Sequence, residues 1–433
     1  MRERVPHVLV VGGGHVGLTL TLRLQQRLRR GEARVTLVDA RGYMTYRPFL
    51  PEVAAGSVEP RNVVVPLRPA LPGTDVVTGE VTRVRHADRV ATVRTDDGTH
   101  REIGYDVLVV APGSISRTLP VPGLAEHAVG FTTVEQAVHL RDRVLAHLDL
   151  AEATDDPAVR ARALTFVFVG GGYAGVEALA EVEDMARYAL RLHRGLRAAD
   201  LRFVLVEAGD RILPEVGARL ARYAADVLRE RGIEVLPRTT LASCAGGRVV
   251  LTDGQEFDAA TVVWTAGVEA HPVLGATDLP LDGRRRLRVR ADLRVEGVES
   301  AWGAGDSCAV PDVTAPGTFC APNAQHAVRQ ARRLADNLVA VLRGGAPREY
   351  RHRHVGSVAT LGLHRGVAQV RGLRLRGYPA WLLHRLHHLS RVPTAGRKAG
   401  VLLGWLQSAL FPRESVSAGV LSPPAEPGRA VRP

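Results

Sequence analysis

A single motif occurs twice along this chain and constrains its fold more than any other feature. Each copy contains an apolar strand, a glycine-rich loop, a helical stretch and a second apolar strand that ends in an acidic residue. The first copy runs from Val8 to Asp39, and the second runs from Phe166 to Glu207. Glycines allow the backbone to approach a pyrophosphate, whose charge then lies at the N-terminus of the next helix. The motif therefore predicts two sites for phosphate-bearing ligands, each built on a strand–helix–strand unit.

The two copies together are far more specific than either one alone. A single glycine turn between a strand and a helix also arises from packing, so one match is weak evidence. Here the glycines recur at matching positions, namely Gly12, Gly13, Gly14 and Gly17 in the first copy and Gly170, Gly172 and Gly175 in the second. The acid that ends each copy can bind two ribose hydroxyls and repel an additional 2′-phosphate. We therefore predict an α/β fold with two Rossmann-like dinucleotide-binding domains, and electron transfer between the two dinucleotides.

The order of the motifs predicts that one domain is interrupted by the other. The chain exceeds the length of a single hydrophobic core. After the second motif, Leu281–Val295 should return to the first domain, because the Ala301–Asp306 stretch complements the first glycine loop. We predict four segments: the first nucleotide domain begins at 1–120, the second occupies 121–285, the first resumes at 286–345, and a C-terminal region covers 346–433.

Periodicity within these segments predicts several individual elements. Alternating residues at 76–84 and 90–95 indicate a small antiparallel element. A buried strand should end at Gly113, and helical patterns cover 132–153 and the stretch from Ala324 to about Leu342.

Charge is distributed unevenly along the chain, and this bears on its partners. The formal net charge is +12, yet residues 346–433 alone carry 14 Lys and Arg against 3 Asp and Glu. Nucleic-acid binding is therefore not expected of this protein. Within the C-terminal region, Tyr378–Leu389 and Arg397–Phe411 place Trp, Leu and Phe beside basic residues at helical spacing. Such helices favour an anionic membrane surface, with core packing or a homodimer interface as the alternative.

The remaining composition indicates a cytoplasmic protein, which the basic C-terminal helices would hold at the inner face of the cell membrane. The first nucleotide strand begins almost at once, which leaves no room for a secretory signal. No apolar run reaches the roughly 18 residues that span a bilayer. Cys244, Cys308 and Cys320 are too few and too scattered for a disulfide framework or a zinc site, so we expect no metal. We expect Cys308 and Cys320 to be buried small residues.

Taken together, these features resemble the type II NADH dehydrogenases. Members of that family are two-dinucleotide flavoproteins that pass electrons from NADH through FAD to a membrane quinone without pumping protons. The resemblance covers nearly the whole chain. Besides the glycine loops and the amphipathic tail, it is carried by Arg47–Gly56, Val206–Pro214, Trp264–Gly267, Gly305–Asp306 and the helix that contains Ala324–Gln325.

The resemblance implies roles for individual residues. The FAD site would be formed by Gly12, Gly13, Gly14, Gly17, Asp39, Gly113, Gly305, Asp306 and Ala324. The NADH site would be formed by Gly170, Gly172, Gly175, Glu207 and Gly267. The Glu207 carboxylate would repel the 2′-phosphate of NADPH. Arg211 lies close in sequence and would weaken this repulsion, so NADPH remains an alternative.

Two further residues are candidates for catalysis. The N-terminus of the helix that begins near Ala324 would stabilise negative charge on the reduced flavin. The family motif there is Ala-Gln-x-Ala-x-Gln. This chain keeps Gln325 but has Arg329 in place of the second Gln. The identity of the electron acceptor, a quinone or a similar molecule, is therefore not fixed by the motif. Glu177, expected in the first helical turn after the second loop, would relay a proton or position the nicotinamide. Its alternative is a simple interaction with the helix dipole.

Two other functions fit the same cofactors. A soluble NADH:acceptor reductase, similar to ferredoxin reductases, would use the tail for dimerisation. A redox sensor would bind FAD and NADH and turn over slowly. Disulfide reductases of this fold need a close pair of cysteines beside the flavin. The peroxide and coenzyme-A disulfide types need one cysteine in the region after the first acidic residue, where Tyr43–Tyr46 supplies none.

Overall fold

The computed structural model describes residues 5–352, 355–411 and 415–417. The chain forms two compact units. The first unit comprises residues 1–45, 65–115 and 268–354, and the second comprises 46–64, 116–267 and 355–433. Two of the predicted segments contain residues that the structure does not describe. These are 1–4 in the segment 1–120, and 353–354, 412–414 and 418–433 in the segment 346–433.

The strands are short and are numbered in chain order. They are β1 His7–Val11, β2 Arg34–Asp39, β3 Tyr43–Thr45, β4 Val64–Pro66, β5 Asp75–Thr78, β6 Glu80–Arg85, β7 Val90–Arg94, β8 His100–Gly104, β9 Val107–Val110, β10 Ser114–Ser116, β11 Ala128–Gly130, β12 Thr165–Val169, β13 Arg202–Glu207, β14 Ile233–Pro237, β15 Leu241–Ser243, β16 Arg248–Leu251, β17 Glu256–Asp258, β18 Thr261–Trp264, β19 Val268–Ala270, β20 Leu287–Arg288, β21 Ala301–Gly303, β22 Cys308–Ala309, β23 Gly356–Thr360, β24 Gly366–Val370 and β25 Leu373–Arg376.

The helices are numbered in the same way. They are α1 His15–Arg27, α2 Leu50–Ala54, α3 Leu67–Ala70, α4 Leu124–His127, α5 Val134–Ala153, α6 Pro157–Ala163, α7 Tyr173–Leu190, α8 Ala218–Glu230, α9 Ala324–Leu342, α10 Tyr378–Arg391 and α11 Ala395–Leu410. Short 3-10 helices cover Arg47–Phe49, Pro60–Val63, Ala198–Asp200, Ala245–Gly247 and Pro272–Ala276.

The first unit is built on a five-stranded parallel sheet in the order β21-β9-β1-β2-β5. After His7, β1 is apolar and buried from Val8 to Val11, as expected of a parallel strand that is covered on both faces. Helices α1 and α9 pack together. The prediction of a buried strand before Gly113 is confirmed by β9, and that of a helix from Ala324 to Leu342 by α9.

One prediction in this unit is wrong in part. β6 and β7 pair antiparallel as predicted and continue into β8. β5, however, does not belong to that element, because Thr36–Asp39 of β2 pairs with it in parallel. A four-residue strand carries no local sign of its pairing direction, so periodicity alone grouped it with its neighbours in sequence.

The second unit repeats this architecture. Its parallel sheet has the order β11-β18-β12-β13-β14. The helix predicted at 132–153 is confirmed as α5, whose N-terminus is fixed by a capping box between Thr133 and Gln136. Two antiparallel sheets accompany it, β15-β16-β17 and β23-β24-β25, and α10 packs on the latter.

The C-terminal segments with mixed aromatic and basic residues form helices, as predicted. α10 and α11 cover nearly the same residues as the two patterns in the sequence. Among the described residues, no helix combines the length and hydropathy that crossing a bilayer requires.

Candidate functional site

The first glycine loop lies between β1 and α1, and its geometry excludes side chains at two positions. Gly12 has φ +99°, a conformation that L side chains rarely adopt, and its N–H donates to the carbonyl of Val38 at 2.8 Å. A Cβ at Gly17 would lie 1.8 Å from the carbonyl oxygen of Gly12. Around Gly14, by contrast, a Cβ would meet nothing within 4 Å. The space before the N-terminus of α1 is therefore open, and the loop presents backbone there.

The acid that ends β2 is joined directly to this loop. Asp39 Oδ2 accepts a hydrogen bond from the Gly13 amide at 2.6 Å, and Oδ1 accepts one from the Arg41 amide at 2.8 Å. Burial raises the pKa of Asp39 in spite of these two donors. A carboxylate oxygen can accept more than one hydrogen bond, so ribose hydroxyls can bind to the same group. The residues thus fit the adenosine half of a dinucleotide.

The second glycine loop, between β12 and α7, has the same backbone hydrogen bond and the same close approaches as the first. Gly170 has φ +114°, and its amide donates to the carbonyl of Val206 at 2.8 Å. A Cβ at Gly175 would lie 1.9 Å from the Gly170 carbonyl oxygen, whereas the space around Gly172 is open. The same local sequence therefore produces the same exposed backbone twice.

Glu207 has the position in the second unit that Asp39 has in the first. Its Oε2 accepts from the Gly171 amide at 2.5 Å, and its Oε1 accepts from the Gly209 amide at 2.5 Å. The side chain is half-buried at the carboxyl end of β13. Gly267 follows β18 at the same edge of the sheet, with φ +94° and open space where a Cβ would project. These residues fit a second dinucleotide.

Other predicted residues of the first unit gather at the carboxyl ends of β9 and β21. Gly113 has φ +78° with open space beside it. The hydroxyl of Ser114 donates to Asp306 Oδ2 at 2.9 Å, so these two segments meet. Gly305 has φ +79°, and its amide donates to Gln330 Oε1 at 2.7 Å.

Gln330 was not among the residues predicted for the site, although it contributes to its construction. The side chain is 1% exposed and fixes the Gly305 turn from the second helical turn of α9. The sequence offered one signal, a Gln one position later than the family motif requires. That shift rotates the residue by about 100° around the helix, towards the core.

The N-terminus of α9 is well defined. Asn323 caps it, because its side chain accepts from the His326 amide at 2.9 Å. Ala324 is the first helical residue, and Gln325 beside it is half-buried. Arg329, which replaces the second Gln of the family motif, donates from Nη1 to the Gln325 carbonyl at 3.1 Å. The arginine therefore lies along the first turn of the helix.

Glu177 is not in the first turn of its helix, so that prediction is wrong. Gly172 is the N-cap and α7 begins at Tyr173, which places Glu177 in the second turn. The side chain is 6% exposed. Its Oε1 accepts from the Thr360 amide of β23 at 3.0 Å and lies 3.0 Å from His384 Nε2 of α10. A tertiary environment, rather than the helix dipole, therefore surrounds this carboxylate.

The three cysteines are buried and form no disulfide, which confirms the interpretation of Cys308 and Cys320 as buried small residues. Burial raises the pKa of Cys308 to about 12 and that of Cys244 and Cys320 to about 11. Because the thiolate is the reactive form, these thiols are inert at neutral pH. Thiol–disulfide chemistry therefore has no reactive cysteine to begin from.

The outer surface of α11 is apolar. Leu402, Leu403 and Leu406 are 48%, 64% and 54% exposed, and Leu410 and Phe411 continue the same surface. These residues are thus not part of the core of their unit, which removes one of the alternatives considered for this helix.

Two dinucleotide sites of the same construction, with no reactive thiol, define the class: an oxidoreductase that holds two dinucleotides in one chain. The chain belongs to the pyridine nucleotide-disulphide oxidoreductase family, which it matches over residues 6–331.

The names of its relatives describe a narrower activity than the family name does. The sequence is 28% identical over 421 residues to the type II NADH:quinone oxidoreductase Ndh of Mycobacterium tuberculosis, covering 94% of this chain and 88% of that protein. It is 29% identical over 391 residues to the type II NADH:quinone oxidoreductase of Staphylococcus aureus, covering 88% and 93%. The resemblance that the motifs indicated is thereby confirmed.

A solved structure shows the same fold. NDH2 from Plasmodium falciparum, in complex with NADH, matches this chain with a TM-score of 0.89 at 16% identity. The match covers 95% of this chain and 100% of that one. The predicted fold class, α/β with two Rossmann-like domains and a helical C-terminal region, is confirmed.

Proposed function

We propose that this protein is a type II NADH:quinone oxidoreductase, which transfers hydride from NADH to FAD and then electrons to a quinone without pumping protons. The observation that carries the proposal is the repeated loop, in which Gly13–Asp39 and Gly171–Glu207 form equivalent hydrogen bonds. The named relatives, aligned over most of both chains, support the choice of NADH and quinone.

In this proposal the first unit binds FAD. Gly12, Gly14 and Gly17 leave room for the pyrophosphate at the N-terminus of α1, and Asp39 accepts from the adenosine ribose. The Ser114–Asp306 pair, 2.9 Å apart, bonds the ribityl or pyrophosphate portion. When bound, the flavin accepts hydride and releases electrons singly or in pairs, while the protein supplies position and charge.

The second unit binds NADH in the same manner. Gly170, Gly172 and Gly175 approach the pyrophosphate, and Glu207 accepts from the adenosine ribose. A 2′-phosphate would bring negative charge close to this carboxylate, which supports a preference for NADH over NADPH. Gly267 leaves space beside the carboxyl end of β18.

The quinone, in this proposal, is reduced near the N-terminus of α9. Gln325, half-buried in the first turn, offers both a donor and an acceptor to a carbonyl oxygen of the quinone. The backbone amides of this turn would stabilise negative charge on a bound, reduced flavin. Arg329 adds a guanidinium along the same turn and distinguishes this site from the family motif.

The C-terminal helices, in this proposal, hold the protein at the cytoplasmic face of the membrane. The exposed leucines of α11 suit the acyl boundary, and the excess of basic residues in 346–433 suits anionic headgroups. A homodimer through the same surface is the competing explanation. If detergent dissociates the protein into monomers that still bind lipid, the surface binds the membrane and does not form a homodimer.

The proposal is tested by steady-state assay of the full chain with NADH and a short-chain quinone. Turnover on the order of 1–1,000 per second is the range of ordinary enzymes. Rapid turnover with a ferredoxin-type protein and none with quinone would support the soluble reductase instead. Slow turnover with every acceptor would identify a redox sensor.

A further inference from the structure

A cavity that belongs to neither dinucleotide site lies in the first unit. Its volume is about 520 Å³, which is within the range of sites for small molecules. One wall is the turn at 282–286, and the other is the segment 319–322, which ends directly before Asn323, the N-cap of α9. Among the described residues, none of those assigned above to FAD, NADH or the quinone lines this cavity.

The turn at 282–286 is held from within by one carboxylate. Asp282 Oδ1 accepts from the backbone amides of Arg284 and Arg286, at 2.9 Å and 2.8 Å. Its Oδ2 accepts from Nε and Nη2 of Arg286, at 3.0 Å and 2.8 Å. Burial opposes the charge of Asp282, but these donors outweigh burial and lower the pKa of the carboxyl. The wall is therefore a fixed structure that contains an ionised carboxylate.

The side chains of this wall offer donors to a ligand and no acceptor. A carboxylate has about four acceptor positions, and the bonds from Arg284 and Arg286 fill those of Asp282. The guanidinium of Arg286 uses only part of its donors on Asp282. Arg284 also lines the cavity, and it is exposed. Two guanidinium groups therefore face one carboxylate that is already occupied, which leaves an excess of positive charge.

The opposite wall is apolar and begins with an aromatic ring. Phe319 is 51% exposed, and the Arg286 guanidinium lies 5.0 Å from the centroid of its ring. The backbone on both sides of the ring is paired: Phe319 forms an antiparallel bridge with Pro311, and the Cys320 amide donates to the Val310 carbonyl at 2.9 Å. An exposed aromatic ring is thus held in a fixed position beside unused donors.

These two walls together select one class of ligand. A small inorganic anion would bind the donors but leave the apolar wall in water. A neutral aromatic molecule would cover the apolar wall but leave the guanidinium groups without an anion. An aromatic carboxylate does both, because its carboxylate forms charge-assisted hydrogen bonds with a guanidinium and its ring stacks on an aromatic side chain.

We infer that this cavity binds an aromatic carboxylate, with the carboxylate at Arg284 and Arg286 and the ring against Phe319. The inference does not depend on the proposed function, because neither glycine loop contributes to the cavity. A bound acid would also contact Pro322, the residue that precedes the N-cap of α9.

The binding test uses equilibrium dialysis of the full-length holoenzyme against 2-naphthoate. The fluorescence of the free acid is read outside the protein compartment, so the flavin does not interfere. Saturating NAD⁺ is present, so that the acid cannot bind in the second dinucleotide site. We expect one saturable site per chain. The neutral analogue 2-naphthamide should bind about ten-fold more weakly, because it lacks the charge that pairs with the guanidinium groups.

Two variants test the two walls separately. Arg284→Gln removes a cation and Phe319→Ser removes the ring, and each should weaken binding of 2-naphthoate by about ten-fold. Both side chains are exposed, so both variants should unfold at the wild-type temperature. The matched controls are Arg101→Gln and Leu192→Ser, which remove an exposed cation and an exposed apolar side chain elsewhere and should bind the acid as wild type does.

Four results would overturn the inference. The first is no binding of 2-naphthoate at a concentration on the order of 1 mM. The second is equal affinity for 2-naphthoate and 2-naphthamide, which would leave only apolar contact. The third is unchanged affinity in either Arg284→Gln or Phe319→Ser, which would place the acid elsewhere. The fourth is displacement by inorganic phosphate at the same concentration as by 2-naphthoate itself, which would reveal a simple anion site.

Failure of this inference is distinguishable from failure of the proposed function. Reduction of the flavin by NADH and its reoxidation by a quinone are measured without 2-naphthoate. Arg284→Gln and Phe319→Ser should leave both of these rates unchanged, since neither residue belongs to the sites described for NADH, FAD or the quinone.

Discussion

The backbone amide of Gly171 donates to the carboxylate of Glu207 at 2.5 Å, which joins the second glycine loop to the end of β13. Strand pairing brings them together, because β12 and β13 are parallel neighbours whose carboxyl ends meet at one edge of the sheet. The acid is therefore positioned by the same sheet that positions the loop.

Glu207→Gln removes the charge at the adenosine ribose and keeps the size of the side chain. We expect the preference for NADH over NADPH, measured as the ratio of kcat/KM values, to fall by about ten-fold, which corresponds to ~1.4 kcal/mol. Glu230→Gln, an exposed acid on α8, is the matched control. An unchanged preference in Glu207→Gln would remove Glu207 from the ribose site.

Gly172→Ala should weaken NADH binding, whereas Gly175→Ala should lower the stability of the fold. A Cβ at Gly172 meets no protein atom within 4 Å, so the variant should unfold at the wild-type temperature but bind NADH more weakly, because the methyl group occupies the space of the pyrophosphate. A Cβ at Gly175 would lie 1.9 Å from the Gly170 carbonyl, so the backbone must shift and stability should fall by about 1–3 kcal/mol. Thermal unfolding and NADH titration of both variants check this. If Gly172→Ala binds NADH normally, the loop does not contact the pyrophosphate.

Gln325→Leu should separate the two half-reactions. Reduction of flavin by NADH should keep its rate, whereas reoxidation by quinone should slow by about ten-fold or more, because the site loses a hydrogen-bond partner to the quinone. Rapid mixing under argon measures each step. Equal loss in both would place Gln325 at the flavin instead.

Gln330→Leu provides the contrast on the same helix. It removes the acceptor of the Gly305 amide and should lower the free energy of unfolding by about 1–3 kcal/mol. Denaturant titration together with flavin content distinguishes this structural loss from the kinetic effect at Gln325.

Replacing Leu402, Leu403 and Leu406 with Gln should weaken binding to vesicles that contain anionic lipid. The three side chains are exposed, so stability should remain within about 0.5 kcal/mol of wild type. A control with Leu150, Val159 and Leu192 replaced by Gln changes similarly exposed residues elsewhere and should bind as wild type does. Undiminished flotation with vesicles, accompanied by loss of a dimer, would assign the surface to self-association.

The glycine loops could be predicted from sequence because their constraints are local. Positive φ angles at Gly12 and Gly170, and the approach of Gly17 and Gly175 to backbone oxygens, require glycine regardless of the rest of the chain. The acids that end β2 and β13 followed from the periodicity of the strands. Helix α9 was equally readable from its helical pattern, and the structure adds Asn323 as its N-cap.

Other features depend on tertiary packing that no local pattern reveals. The surroundings of Glu177 arise because β23 and α10, far away in sequence, pack beside α7. His384 consequently read as one basic residue of an amphipathic helix, although it is 1% exposed. Residues 46–64 belong to the second unit, and no motif in that stretch indicates the grouping.

The central claim is that one chain holds FAD and NADH so that hydride passes to the flavin and electrons then pass to a quinone. The most direct measurement follows the visible absorbance of the purified holoenzyme under argon, first on addition of NADH and then on addition of menadione. The account predicts that the flavin band bleaches with NADH and returns in full with the quinone. A purified, folded protein that contains no flavin and cannot take it up, or a flavin band that NADH leaves unchanged, would contradict it.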